Sequence, residues 1–263
     1  MFGHLNPPPS ALMLEHFSHD DILEIRLARP PVNALSPELI AALRQSISAA
    51  PDGGARALVI SAGPGLFSAG LDVPALLKLD RAGMLAMWKD FFGLLSAIAC
   101  SPIPTVAAIT GHSPAGGTVV ALNCDYRVMA EGPFKLGLNE TQVGLALPRA
   151  ILGSLQRLLG PHQAERHIVA GNMIDSAAAL KVGLVDELVA PEQVIPRALE
   201  WCRFHLGLPR RAMRINRESA RADLRAIYQD PGQMQVEEFI DGWFHEETQA
   251  VLQALVARLR SKG

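Results

Sequence analysis

Glu140 stands near the end of a stretch, residues 111–148, that reads GHSPAGGTVVALNCDYRVMAEGPFKLGLNETQVGLALP. Leu138, Val143, Leu145 and Leu147 flank it. An apolar setting of this kind raises a carboxyl's pKa toward neutrality, where one group can both take and return a proton. A lone glutamate in a loop is ordinarily solvated, so what singles Glu140 out is its company. Pro114-Ala115-Gly116-Gly117 lies between a predicted strand at 105–109 (TVAAI) and an apolar segment at 118–122 (TVVAL) bounded like a buried helix. The first N–H groups of a helix have no intrahelical partner and lie at the positive end of its dipole. A Gly-Gly start can therefore turn such groups toward a developing oxyanion, although by itself it reads equally as a tight turn. A second junction of the same kind follows the predicted strand ALVIS at 57–61. There GPGLFSAGLD, residues 63–72, is a small-residue loop ending at a helix start. Two such junctions supply one backbone donor each, the minimum for an oxyanion hole.

Three motifs in order, FSAGLD (67–72), PAGGTVVALNCDYRVMA (114–130) and GLNETQVGL (137–145), resemble the enoyl-CoA hydratase/isomerase superfamily, or crotonase family. The resemblance runs from about residue 12 to 200 and is nearest to the Δ3-Δ2-enoyl-CoA isomerase branch. It implies an α/β fold: a crotonase-like β/α spiral core of repeated ββα units with a C-terminal helical region. It also implies that an acyl-CoA thioester carbonyl is held by the N–H groups of Leu71 and Gly116. Of the two glutamates that flank water in the hydratases, one falls at Glu140 and the other at Val119, which cannot transfer a proton. A third carboxylate of some relatives falls at Pro148. A single-carboxylate site is what a 3-enoyl to trans-2-enoyl shift needs: one base removes a proton from C2 and returns one to C4, and no water is added. Val32, Ala34, Ala69, Asp72, Pro114 and Asn139 are the further acyl-CoA contacts implied, with Arg29 near a phosphate. Two rival readings stand beside this one: a hydratase or other acyl-CoA enzyme of the family, and a non-catalytic acyl-CoA-binding paralogue.

The remaining sequence sets bounds. A chain of 263 residues, 49% hydrophobic and 19% charged, can bury a full core. A net charge of −2 provides no field for nucleic acid or an anionic membrane. Apolar runs break before the ~20 residues of a membrane span. Cys100, Cys124 and Cys202 lie far apart, without metal spacing, and read as thiols of a reducing compartment. The expectations are a cytoplasmic enzyme with no metal and no cofactor, since CoA belongs to the substrate. Glycine patterns of dinucleotide or P-loop sites and the serine-hydrolase elbow are missing from the sequence.

The elements that must position these groups follow from pattern. Residues 1–10, with a triple proline, read as a flexible leader, 11–194 as the spiral core and 195–263 as a helical region. Segments 12–17 and 22–27 alternate as a hairpin around a turn at 18–21, with His16 and His19 at the surface. Ser36 and Pro37 start a helix to about residue 50, and Asp80 caps one over 81–99. The latter carries an apolar stripe (Met84, Met87, Trp88, Phe91, Leu95) read as core or acyl-pocket wall. His112, without an evident carboxylate partner, reads as structural, and Asp125 as a partner for Arg127. Further helices are expected at 150–159, 161–169 and 177–181 with Ser176 as cap, followed by a return strand at 184–189. Helices at 197–206, 210–225 and 234–260 complete the chain. Relatives use such terminal helices between subunits or over the acyl site, which implies a homotrimer or hexamer. The basic run Arg210, Arg211, Arg214, Arg217 and Arg221 reads as a solvated face or as a contact for CoA phosphates.

Overall fold

The computed structural model describes residues 13–260, so the leader predicted at 1–10 and the start of the first expected strand lie outside the described residues. The chain opens with strands β1 (Leu14–His19) and β2 (Ile22–Leu27), helix α1 (Pro37–Ala49), strands β3 (Ala57–Ala62) and β4 (Gly65–Leu66), and helices α2 (Val73–Leu76) and α3 (Arg81–Ala99). Next come β5 (Thr105–Ile109), β6 (Gly111–Pro114), α4 (Gly116–Leu122), β7 (Tyr126–Ala130) and β8 (Lys135–Gly137). A 3-10 turn (Glu140–Val143) leads to α5 (Arg149–Leu159), α6 (Pro161–Ala170), β9 (Met173–Asp175), α7 (Ser176–Val182) and β10 (Glu187–Val189). The rest is helical: α8 (Val194–Leu206), α9 (Arg210–Ala220), α10 (Ala222–Gln229), α11 (Pro231–Met234), α12 (Val236–Trp243) and α13 (Glu246–Arg260).

Two sheets divide the strands by alternation. The larger has the order β1-β2-β3-β5-β7-β10, the smaller β4-β6-β8-β9. Apart from the β1–β2 hairpin the large sheet is parallel, and β4, β6 and β8 also run parallel. Each of β3, β5 and β7 thus hands the chain directly to β4, β6 or β8 in the other sheet, then to a loop or helix. These are the repeated ββα units expected. The fully buried runs ALVISA of β3 and TVAAI of β5 suit central parallel strands covered on both faces. Close strand changes require glycine: a Cβ on Gly111 would lie 2.0 Å from the carbonyl carbon of Gly65.

Helix starts follow the expected caps. Ser36 Oγ accepts from Leu39 N–H with Pro37 in the first turn, and Asp80 accepts from Gly83 N–H. The cap of α7, however, is Asp175, which accepts from Ala178 N–H at 2.8 Å. Ser176, expected there, is buried and pairs with both backbone groups of Gly132. The stripe on α3 is buried throughout, and the Trp88 ring centroid lies 4.0 Å from that of Phe239 on α12. By length and hydropathy α3 alone among the described residues could cross a membrane, yet half of that window is buried in this protein. Its apolar content belongs to the core.

Several polar expectations are corrected. The hairpin strand β1 continues to His19, so the turn shrinks to Asp20-Asp21, with Asp20 at φ 55. His19 pairs with buried Glu24, which also accepts from Ser61 and Arg26. Arg127 pairs with Asp186 at 2.6 Å, not with Asp125. Asp125 instead receives Arg217 (2.8 Å) and Arg221 (3.2 Å), all three largely buried. That buried pairing removes Arg217 and Arg221 from any phosphate-binding face, and Arg214 pairs with Glu218. The sequence shows the basic run but not that β7 and the α9–α10 junction bring Asp125 beneath it. The C-terminal helices are also more broken than their pattern predicts: 210–225 divides at Arg221, and 234–260 divides after Trp243.

Candidate active site

Three of the four small-sheet strands end just before one of the groups singled out by sequence. After β4 the loop reaches Leu71, after β6 the chain turns into Gly116, and after β8 it enters the turn that starts with Glu140. Pro114 of β6 is in register with Gly137 of β8, and Ala115 N–H donates to Gly137 O at 2.8 Å. Strand pairing therefore sets Gly116 and Glu140 on adjacent strand ends.

The first donor loop is held from several sides. Leu35 N–H donates to Gly70 O (2.8 Å) and Asp72 N–H to Leu35 O (3.1 Å), a bridge that brackets Leu71. Gly70 sits at φ 84 and accepts no bulk: a Cβ there would lie 3.0 Å from Pro114 O and 3.3 Å from Gly116 N. Asp72 caps α2 through Ala75 N–H and pairs with Arg29 at 2.7 Å. Arg29, expected near a phosphate, also donates to Ala34 O. Its guanidinium thus braces the loop, while Val32, 39% exposed, accepts through its carbonyl from Ala69 N–H. Asn33 links its side-chain amide to Phe67 O, and Ser68 Oγ donates to Asn33 O.

The second donor depends on backbone strain. Ala115 adopts φ 47 and ψ −118, costly for a residue with a Cβ, immediately before α4. The sharp turn frees Gly116 N–H at the helix start. Gly116 itself has no room for a side chain, since a Cβ would sit 3.0 Å from Leu35 Cδ1 and 3.3 Å from Leu71 N. Neither Leu71 N–H nor Gly116 N–H has a protein acceptor among the described residues. Two neighbouring backbone donors are left available, as an oxyanion hole requires. Gly117 allows α4 to settle on the other loop: its Cβ would meet Ser113 Oγ at 2.8 Å and Ser68 Cβ at 3.1 Å.

Glu140 completes the set. Its Oε2 is buried and has no hydrogen-bond partner among the described residues. Burial pushes its carboxyl up to about 7, against the opposing hydrogen bond from its own backbone N–H. Leu138 and Leu145 are buried and Val143 and Leu147 pack against the same core, which accounts for the desolvation. Asn139, directly before the turn, accepts from Gln142 N–H through its carbonyl. Val119 is buried within α4 and Pro148 begins α5, so neither position carries a second carboxylate. His112 is exposed; its Nδ1 accepts from Lys135 N–H and its ring meets Phe134 edge-on. Among the described residues no cluster of three His, Cys, Asp or Glu could hold a metal.

The enoyl-CoA hydratase/isomerase family model matches residues 18–258. The chain belongs to that family. It is 32% identical over 241 residues to the human mitochondrial enoyl-CoA delta isomerase 1, covering 90% of this chain and 80% of that protein. A probable enoyl-CoA hydratase, echA17 of Mycobacterium avium, is 35% identical over 209 residues, 78% of each chain. Among solved structures, the human mitochondrial delta3-delta2-enoyl-CoA isomerase superposes with a TM-score of 0.88 at 31% identity, covering 95% of this chain and 99% of that one. This family acts on acyl-CoA thioesters, and the crotonase fold expected from the three motifs is the fold observed.

Two features of the site escape sequence reasoning. An alanine with φ > 0 gives no signal in composition, although its place before Gly-Gly at a strand end marks a sharp turn. The bracing of Asp72 by Arg29 spans 43 positions and has no local signature.

Proposed function

We propose that this enzyme is a Δ3-Δ2-enoyl-CoA isomerase, converting a 3-enoyl-CoA into a trans-2-enoyl-CoA. The observation that carries the reading is a single carboxylate, Glu140, whose Oε2 is buried with no partner among the described residues, in a site with two free backbone donors and valine where the hydratases of the family have a second glutamate. Glu140 as carboxylate takes a proton from C2. The electron pair moves toward the thioester, and the N–H groups of Leu71 and Gly116 hold the dienolate oxygen, each worth about 3–4 kcal/mol in comparable sites. The protonated Glu140 then returns a proton to C4. A carboxyl poised at about 7 suits both halves of this cycle. Val32, Ala34, Ala69, Asp72, Pro114 and Asn139 surround the path proposed for the acyl-CoA, Asp72 and Pro114 acting through the loop geometry they support. A homotrimer or hexamer in the cytoplasm is part of the same proposal.

The test is turnover of 3-hexenoyl-CoA, followed by absorbance of the conjugated 2-enoyl thioester, for the wild type and Glu140→Gln. The expected result is wild-type turnover and a loss of about 10³-fold in the variant, within the range for removal of a general acid–base group. The hydratase relatives supply the second reading. Efficient conversion of crotonyl-CoA to the 3-hydroxyacyl product, with no 3-enoyl turnover, would replace the isomerase by a hydratase.

A further inference from the structure

The turn that carries Glu140 is gripped from two sides. On one side Thr141 Oγ1 donates to Ile168 O (2.6 Å) and Gln142 Nε2 to Ala170 O (3.2 Å), both at the end of α6. Gly171, at φ 62, lets that end approach, since a Cβ there would lie 2.9 Å from Gln142 Cγ. The opposite grip comes from more than a hundred residues later in the chain. Thr248 of α13, 5% exposed, donates its hydroxyl to Gly144 O at 2.7 Å. Gly144 closes the turn at φ 73, its N–H donating to Thr141 O while Leu145 N–H donates to Glu140 O. A Cβ on Gly144 would sit 3.4 Å from Thr248 Cα, so helix and turn are in direct contact. Helix α13 also packs on α2, which begins two residues beyond Leu71. One helix therefore touches both the turn of the base and the segment following a proposed oxyanion donor.

We propose that Thr248 is a positioning residue for the reaction: through the Gly144 carbonyl it locks the Glu140 turn to α13, and α13 in turn ties that turn to the loop bearing Leu71. The hydroxyl touches no reacting atom. It satisfies the carbonyl that ends the turn and keeps water from entering between turn and helix. Among the described side chains, the charged and titratable groups on the packed elements are His162, Glu165, Arg166 and His167 on α6 and Glu246, Glu247 and Arg258 on α13. None of these contributes to the elevation of the Glu140 pKa, which comes from burial. Loosening the clasp therefore acts on Glu140 through its hydration.

The kinetic arm of the test rests on the isomerase reading, whereas a titration does not. Glu140 is followed by carbon NMR in protein labelled at the glutamate carboxyl, its signal identified by its loss in Glu140→Gln. Thr248→Val keeps the shape and removes the hydroxyl; Thr248→Ser keeps the hydroxyl. In Thr248→Val the Glu140 midpoint is expected to fall from about 7 toward the ordinary 4.5. Its kcat on 3-hexenoyl-CoA should fall about 10- to 100-fold, the scale of a small misplacement of a reacting group, with KM little changed. Thr248→Ser should restore both. Should Thr248→Val not fold, Thr248→Ala carries the same expectation. A folded hydroxyl-free variant with a lowered melting temperature but an unmoved midpoint and kcat would make Thr248 plain packing and overturn the proposal. If the wild type does not turn over 3-hexenoyl-CoA, the isomerase reading falls while the titration still decides the clasp.

Discussion

Glu140→Gln is expected to stabilise the protein while lowering its activity about 10³-fold, and the stabilisation should depend on pH in a defined direction. Burial moves the carboxyl from its ordinary 4.5 to about 7. Below pH 4.5 the group is protonated in the folded and unfolded chain alike and carries no cost. Between 4.5 and 7 the folded protein holds a proton that the unfolded chain has released, so stability falls as pH rises through that window. Above 7 the cost is complete, about 3 kcal/mol at roughly 1.4 kcal/mol per tenfold change in proton affinity. Glutamine has the same shape and no charge to desolvate. At pH 8 the variant should be more stable than the wild type by up to about 3 kcal/mol, or about 6–12 °C in melting temperature at the 2–4 °C per kcal/mol typical of a chain this size. At pH 5 less than about 1 kcal/mol of this difference should remain. The assay is thermal or urea unfolding of both proteins at pH 5 and pH 8. Taking the change in the gap between the two pH values cancels every other titrating group, and also the constant cost of giving a buried amide no partner. A gap that stays constant or narrows from pH 5 to pH 8 would refute a carboxyl made weakly acidic by burial.

Other expected outcomes concern the frame and the site. Asp125→Asn leaves the buried guanidinium groups of Arg217 and Arg221 without their counter-charge, and should cost about 3–5 kcal/mol in urea unfolding at pH 7 while activity per folded molecule is retained. Burial alone would raise the Asp125 pKa, but Arg217 and Arg221 hold it below its ordinary 3.8. Its contribution is thus present above 3.8 and lost as pH falls through the folded value, so the gap to the variant should shrink in acid unfolding. Val119→Glu places a second carboxylate at the hydratase position and should yield 3-hydroxyacyl product from crotonyl-CoA above the wild-type level, with a lower melting temperature because the site is buried. No gain in a folded variant would mean that water positioning, rather than carboxylate count, limits hydration.

Much of this protein is local and therefore legible in its sequence. Alternation and apolar runs mark the hairpin and the buried strands ALVISA and TVAAI, while Ser36-Pro37 and Asp80 mark helix starts through side chains that bond three residues away. The two glycine junctions and Glu140 among leucines are visible for the same reason: short-range chemistry leaves a short-range pattern. The ion pairs that sequence reasoning missed all involve partners far along the chain. Arg127 meets Asp186 across the neighbouring strands β7 and β10, and Asp125 meets Arg217 where helix α9 packs on the start of β7; Arg29 likewise meets Asp72 between two loops, and no spacing in the sequence encodes such encounters. The same holds for the site. Sequence determined which groups are available: one carboxylate, two glycine-bearing turns and valine at position 119. Tertiary structure decided that the register of Pro114 with Gly137 puts the base beside a donor, that Ala115 bears strain to free Gly116 N–H, and that α13 returns to hold Gly144. Burial and approach are properties of surfaces brought together by the whole fold, so only the folded chain sets the pKa of Glu140 and the aim of the two N–H groups.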